Sequence, residues 1–518
     1  MWIFRENTAI MSVTGMITAR RGAVRGRLRR PIIRMMLGKK AWIRGQETMN
    51  RAKTAGMLAA VLAAGMLLSG CSRSQMNYQI AEAIGTDGMY PNNEPVETPQ
   101  MAQQRQMLEE SESEEEALLA VLAQAETLAA GYNYEEAISV LNTITGMQSR
   151  DDRVSEARER YENGDASLVN WDGGAIPHLC FPTLIYDTSM AFDGDGRASS
   201  YATTMVTCSE FSGILQSLYD NGYILIDIHS IASMVTDDRG TTSMEEHTLK
   251  LPQGKKPVVL SQDNLDYAAV TNGDGIATRL VLDEEGKVKA QYTDSGGHDV
   301  VGDYDFIPIL ESFIEAHPDF SFRGARGIVT VSGSKGVFGY DLPSEESSAP
   351  AQQQETAAAD SSGSLAGLQG TAAQTAVNTA GLTEDEQAIA QISSALTAGG
   401  WSIGCAGWSH GYMNDMSNDQ FKAEMDDWLD HVGSLTGSAD ILFYPYGAEV
   451  AYPGDKLQYL TDHGFRYLCG LWGDTDFREL GDGYMRMTRR FVDGYTLINA
   501  PSYFTSFFSA ADVRDSDR

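Results

Sequence analysis

Asp263 follows an unbroken apolar run, Lys256-Pro257-Val258-Val259-Leu260, that turns polar at Ser261-Gln262-Asp263-Asn264. A buried parallel strand delivers its last residues to a site at its carboxyl end, where a carboxylate can act as a general base. The same side chain could instead cap a following helix. His410 ends a second such segment, Ala406-Gly407-Trp408-Ser409-His410, where an imidazole is either a metal ligand or a core histidine behind Trp408. A third segment, Phe443-Tyr444-Pro445-Tyr446-Gly447, offers aromatic faces and a turn whose backbone N–H could meet an oxyanion. Two other fragments carry less. Asp193-Gly-Asp-Gly and Asn272-Gly-Asp-Gly lack the ends of a calcium loop and read as turns, and Gly333-Ser334-Lys335-Gly336 lacks most of a phosphate-binding loop.

The elements that must position these residues alternate between strand and helix. A strand over 177–186 precedes an amphipathic helix over 209–221, a strand over 223–228 and the 256–260 strand. Residues 276–293 alternate around Glu284-Glu285-Gly286-Lys287 and predict a hairpin insertion, followed by a helix near 306–316. Residues 343–381 are rich in Ser, Ala, Gln, Gly and Thr and predict a disordered linker. The pattern then resumes with a helix over 384–398, a strand near 401–405, a helix over 419–432 and a strand at 441–444. The α/β region is therefore read as one interrupted domain, 176–342 and 383–507, with a tail at 508–518.

These segments resemble the polysaccharide deacetylase family, the NodB-like carbohydrate esterases. The resemblance rests on the three motifs: Ser261 to Leu265 for its Thr-Phe-Asp-Asp-Gly type, Ala406 to His410 for its His-x-x-x-His, and Phe443 to Gly447 for its Arg-x-Pro-x-Gly. It implies a distorted (β/α) barrel that removes acetyl groups from cell-envelope or extracellular polysaccharide. In an intact member the first Asp is the base, and the second Asp with two histidines binds a divalent, zinc-like metal that polarises the carbonyl and activates water. Carried over, Asp263 and Tyr446 are the catalytic candidates, His410 and Asn264 the metal positions, and Tyr444, Pro445 and Trp408 the substrate contacts. Ala406 stands where the first histidine belongs, Asn264 replaces a carboxylate, and Phe443 replaces the Arg that orients the base. A metal held here should be weak, unless His178, Asp187 or His229 fills the gap, and Arg489-Arg490 could supply a cation near Asp263 or lie in solvent. The alternative is a pseudoenzyme that binds a polysaccharide or peptidoglycan-type glycan, or scaffolds envelope proteins.

Upstream, Arg51 and Lys53 precede an apolar run, 55–68, too short to span a bilayer comfortably and ending in Leu68-Ser69-Gly70-Cys71. Residues 49–71 thus read as a lipoprotein signal with Cys71 as the acylated residue, which predicts an extracytoplasmic, membrane-anchored protein. Residues 1–48 hold 11 Lys/Arg against two acids and read as an extension from a misplaced start. Residues 72–115 read as a disordered acidic tether. Residues 116–166 read as a short helical hairpin like one tetratricopeptide unit, which must pack on something because one unit cannot bury its own face. The chain carries a net charge of −32, so a phosphate backbone is an unfavourable partner and nucleic acid is not expected. Beyond Cys71, Cys180, Cys208, Cys405 and Cys469 form no CxxC pair, and read as buried apolar side chains or as one or two disulfides.

Overall fold

The computed structural model describes residues 98–267, 271–343, 381–437, 439–472 and 476–518. The proposed signal, Cys71 and almost all of the 343–381 segment lie outside the described residues. Pro99–Ala130 is one helix (α1), so residues 99–115, expected as unfolded tether, are helical instead. Gln, Glu, Met and Leu are good helix formers, and this stretch adds i,i+4 pairs, Arg105 with Glu109 and Gln106 with Glu110. Tyr134–Leu141 (α2) and Asp152–Ala166 (α3) follow, so there are three helices where two were expected, sharing one small core of Leu118, Ala125, Ala137, Leu141, Val154, Ala157 and Tyr161. The turn after α1 rests on the α/β region, where the Gly131 carbonyl accepts from the Arg323 N–H at 2.7 Å and Tyr132 packs on Phe322.

The α/β region is built on ten strands: β1 (His178–Phe181), β2 (Tyr223–Leu225), β3 (Lys256–Gln262), β4 (Ile328–Val331), β5 (Ser402–Cys405), β6 (Ile441–Phe443), β7 (Tyr467–Gly470), β8 (Arg478–Gly481), β9 (Tyr484–Thr488) and β10 (Arg490–Phe491). Their order is β8-β9-β7-β6-β5-β4-β3-β1-β10, with β2 also on β3. Every pairing is parallel except β8 with β9. Strands β4 and β5, on either side of the 343–381 segment, are direct neighbours. β9 and β10 lie toward opposite flanks of the strand order, yet only Arg489 separates them in sequence. The sheet therefore curls until one extended segment, 484–491, pairs with β7 through its first half and with β1 through its second.

Alternation along these strands makes two cores. Leu179, Phe181, Leu260, Val329, Val331, Leu442 and Leu468 meet the helices Cys208–Asp220 (α4), Phe306–Ala316 (α5), Glu384–Ala398 (α6), Asn418–Trp428 (α7) and Asp455–Asp462 (α8). The intervening residues Val259, Ile328, Ile441, Phe443, Tyr467, Cys469, Met485 and Met487 face inward against Ile226, Ile228, Ile231 and Met244. Capping boxes begin α4 (Thr207 with Glu210), α6 (Thr383 with Glu386) and α7 (Ser417 with Gln420), which is why these helices start so sharply. The insertion after β3 has three strands, Arg279–Leu282, Val288–Thr293 and Asp299–Gly302. The tail expected at 508–518 is docked rather than free. Arg518 is inserted between α4 and the Ala198–Thr204 helix, bonded to Glu210, Ala202 O and Met205 O. Among the described residues the four cysteines are free thiols, all buried.

Candidate functional site

Asp263 leaves the end of β3 with its N–H bonded to Phe181 O of β1 at 2.8 Å. The next residue, Asn264, turns the chain off the sheet in a left-handed conformation (φ 50°), which an Asn tolerates better than most side chains. Two other residues at neighbouring strand ends share this conformation, His410 (φ 54°) beyond β5 and Tyr446 (φ 55°) beyond β6. Three non-glycine residues held left-handed around one end of a sheet cost on the order of 1–3 kcal/mol each, and such strain concentrates at functional sites.

The cation at this site comes from the seam of the sheet. Arg489 N–H bonds Gly470 O of β7 at 2.9 Å, and its side chain, fully buried, points inward. Its guanidinium donates to Asp263 and, at 3.4 Å, to Tyr444 O, and lies 4.0 Å from the centre of the Phe443 ring. The position where the family would carry an Arg thus supports an arginine reaching in from another strand. Arg490, one residue on, points the opposite way, to Asp476 and Tyr503 O. A solvated arginine pair, one reading of this dipeptide, is not what forms.

The metal positions behave differently. The Asn264 amide oxygen accepts the Ser332 N–H at 3.0 Å and its NH₂ donates to Asp266 at 3.1 Å, so the side chain bridges β4 and its own turn instead of facing an ion. Ala406 is a buried methyl. His410 has its pKa lowered by burial, and by Lys335 and Arg489, against the raising effect of Asp263. None of the three substitutes joins it. His178 is buried with Nε2 2.8 Å from Ser261 Oγ, its pKa pushed well down by burial and by Arg489. Asp187 caps the short helix Thr188–Ala191. His229 sits between Asp227 (2.7 Å) and Asp440 (3.1 Å). Among the described residues no three His, Cys, Asp or Glu side chains form a group that could hold a metal ion. An amide already hydrogen-bonded, a methyl and one imidazole do not fit a divalent ion of the family's kind.

Tyr446 is 58% exposed and Tyr412 55% exposed, and their rings stack at 4.6 Å with His410 5.0 Å from Tyr446. Tyr444, expected beside Tyr446 as a contact surface, is instead in the core, its hydroxyl 2.8 Å from that of Tyr452. The strand ends at Phe443, and the turn that follows, with Tyr446 left-handed (φ 55°), carries the Tyr446 ring outward while Tyr444 stays in the core. Pro445 is buried too, and Trp408 is half-buried under the Gly333 turn, whose Gly333 and Ser334 N–H groups bond Trp408 O. In the turn itself, Gly447 N–H bonds Tyr444 O at 3.0 Å, so of Pro445, Tyr446 and Gly447 the oxyanion-donor expectation rests on the Tyr446 N–H. The acidic turns are also accounted for. Asp274 pairs with Arg197 and Tyr201, and Asp195 receives the N–H groups of Arg197 and Ala198. Tyr412 lies in the loop between β5 and α7, two residues beyond His410, and carries no motif, so only its exposure beside Tyr446 marks it.

Residues 369–468 match the family model described as polysaccharide deacetylase, which takes in β5, β6 and the motifs at 406–410 and 443–447. The chain therefore carries a polysaccharide deacetylase-family domain. Among solved structures it is similar to the Streptococcus pyogenes deacetylase PplD in complex with acetate, at 14% identity and a TM-score of 0.30, over 62% of this chain and 93% of that one. No curated protein matches.

Proposed function

We propose that this protein is an extracytoplasmic lipoprotein, anchored through acylated Cys71, whose deacetylase-like domain binds an acetylated envelope or extracellular polysaccharide. One observation carries the binding reading: two of the metal positions, Asn264 and Ala406, are consumed or inert, while an exposed aromatic pair and an oriented carboxylate stand beside them. Asn264 spends its amide on Ser332 and Asp266, and Ala406 offers a methyl. Beside them Tyr446 and Tyr412 present an exposed aromatic face on which a pyranose ring can stack. Asp263, held by Arg489, accepts a hydrogen bond from a sugar hydroxyl or an acetamido N–H.

The second reading is hydrolysis, and the Asp263–Arg489 pair is what favours it, because it keeps the base position oriented. In that case Asp263 takes a proton from the water that attacks the acetyl carbonyl, and acetate leaves the glycan. Acetate release from an acetylated oligosaccharide separates the two. Binding without release supports the first reading; release by the wild type that disappears in Asp263→Asn establishes the second. Asn264→Asp with Ala406→His should raise zinc affinity at least tenfold, since together they restore two ligand types beside His410. No gain in zinc affinity would show that these residues do not occupy the family's metal positions. The anchor is tested separately: Cys71→Ser should abolish lipid labelling and release the protein from membranes, and retention there would remove the lipoprotein part.

A further inference from the structure

A cleft of about 520 Å³ lies at the other end of the sheet. Its walls are His247, Thr248, Leu249 and Lys250 on one side and Phe322 to Ala325 with Gly400 on the other, with Asp227 and Ser230 completing it. Leu249 and Lys250 precede β3, Arg323 to Ala325 precede β4, and Gly400 precedes β5, whereas Asp263, His410 and Tyr446 follow the ends of their strands. The seven residues of β3 put roughly 20 Å between the two places.

Charge distinguishes this cleft from the surface around it. The chain carries −32 overall, yet the lining presents Lys250, Arg323 and His247 against one acid, Asp227, which is already bound by His229 at 2.7 Å. The Lys250 ammonium has no ion-pair or hydrogen-bond partner among the described residues. The acid nearest Arg323 is Asp165 at 3.5 Å, a loose and half-exposed contact. Arg323 is held left-handed (φ 55°) by its N–H bond to Gly131 O, so the backbone is strained where this cation enters the cleft. Phe322 and Leu249, both nearly buried, supply an apolar surface. Two cations, an imidazole and an apolar floor in a volume typical of small-ligand sites match one chemistry.

We infer that this cleft binds an acidic saccharide, a sugar unit bearing a carboxylate or a phosphate, independently of the mouth around Asp263. The anion is held by Arg323 and Lys250, with the exposed His247 and Thr248 beside the sugar.

Calorimetric titration of the full chain tests this with three probes of similar size: a glucuronate-containing disaccharide, a disaccharide phosphate and a neutral disaccharide. At low salt one of the two acidic probes should bind at least tenfold more tightly than the neutral one, and the one that does identifies the anion. Lys250→Gln and Arg323→Asn, the latter chosen because Asn accepts the left-handed backbone, should each weaken it severalfold and together by more than tenfold. Tyr446→Ala should leave it unchanged. If Arg323→Asn unfolds, the exposed Lys250→Gln still decides. Equal binding of the neutral probe, affinity unaltered by Lys250→Gln, or no binding of either acidic probe below millimolar concentration would overturn the assignment.

Discussion

Among the described residues, Arg518 and Arg489 each bring a buried side chain to a carboxylate, and they are partnered very differently. At the periphery, Arg518 meets Glu210, whose carboxylate also accepts the N–H groups of Thr207 and Asp515, while Arg518 donates further to Ala202 O and Met205 O. That pair leaves little hydrogen-bonding capacity unused. At the mouth, the buried Arg489 Nε has no hydrogen-bond partner among the described residues, and Asp263 keeps 19% of its side chain exposed. A fully hydrogen-bonded pair locks the polypeptide; a partly satisfied one open to solvent retains capacity for a ligand. On the proposed function, that difference is what sets a structural ion pair apart from one able to take a ligand.

Mutations can break that contrast. Glu210→Ala removes the hub of the peripheral pair and strands a buried cation, so urea unfolding should show a loss of about 3–5 kcal/mol with glycan affinity unchanged in the folded fraction. Asp263→Asn should lose less, about 1–3 kcal/mol, because the amide still accepts from Arg489, but it should abolish acetyl-glycan binding. A loss of stability as large as that of Glu210→Ala, with binding intact, would make Asp263–Arg489 structural as well. Tyr412→Ala should change stability by no more than about 0.5 kcal/mol, since the ring is exposed, while lowering glycan affinity about tenfold.

His229 sharpens the comparison through pH. Burial works against its charge, but hydrogen bonds to Asp227 and Asp440 outweigh that and push its pKa up to about 10 from 6.5. A pKa raised on folding gives stability that is complete below about 6.5 and is lost as pH rises through 10. The urea midpoint should therefore fall between pH 7 and 10 in the wild type, and this part of the fall should be absent in His229→Gln. An unchanged slope in the mutant would mean that His229 is neutral in the folded protein.

Much of the fold was legible where local rules act alone. The helices at 306–316 and 384–398 follow from apolar periodicity, and both form within those bounds. The long α1 was missed because a run of Glu and Gln is compatible with either a solvated tether or a helix. Packing of Leu118 and Ala125, with Arg153 bonded to Glu115, decides between them. In the site, Asp263 and His410 were legible from strand ends. Tyr444 and Tyr446 were not separable, since a two-residue offset says nothing of which face is open once the strand ends in a turn.

By itself the sequence determined the residue types available at each motif: a carboxylate at 263, an imidazole at 410, a methyl at 406, an amide at 264 and a phenyl ring at 443. Those identities limit metal chemistry whatever the fold. Only the tertiary structure decided which cation serves Asp263, because Arg489 is 226 residues away along the chain and reaches it through the curl that brings β10 alongside β1. Side-chain chemistry is local and can be read from the letters, whereas proximity across a closed sheet depends on every strand pairing between the two residues.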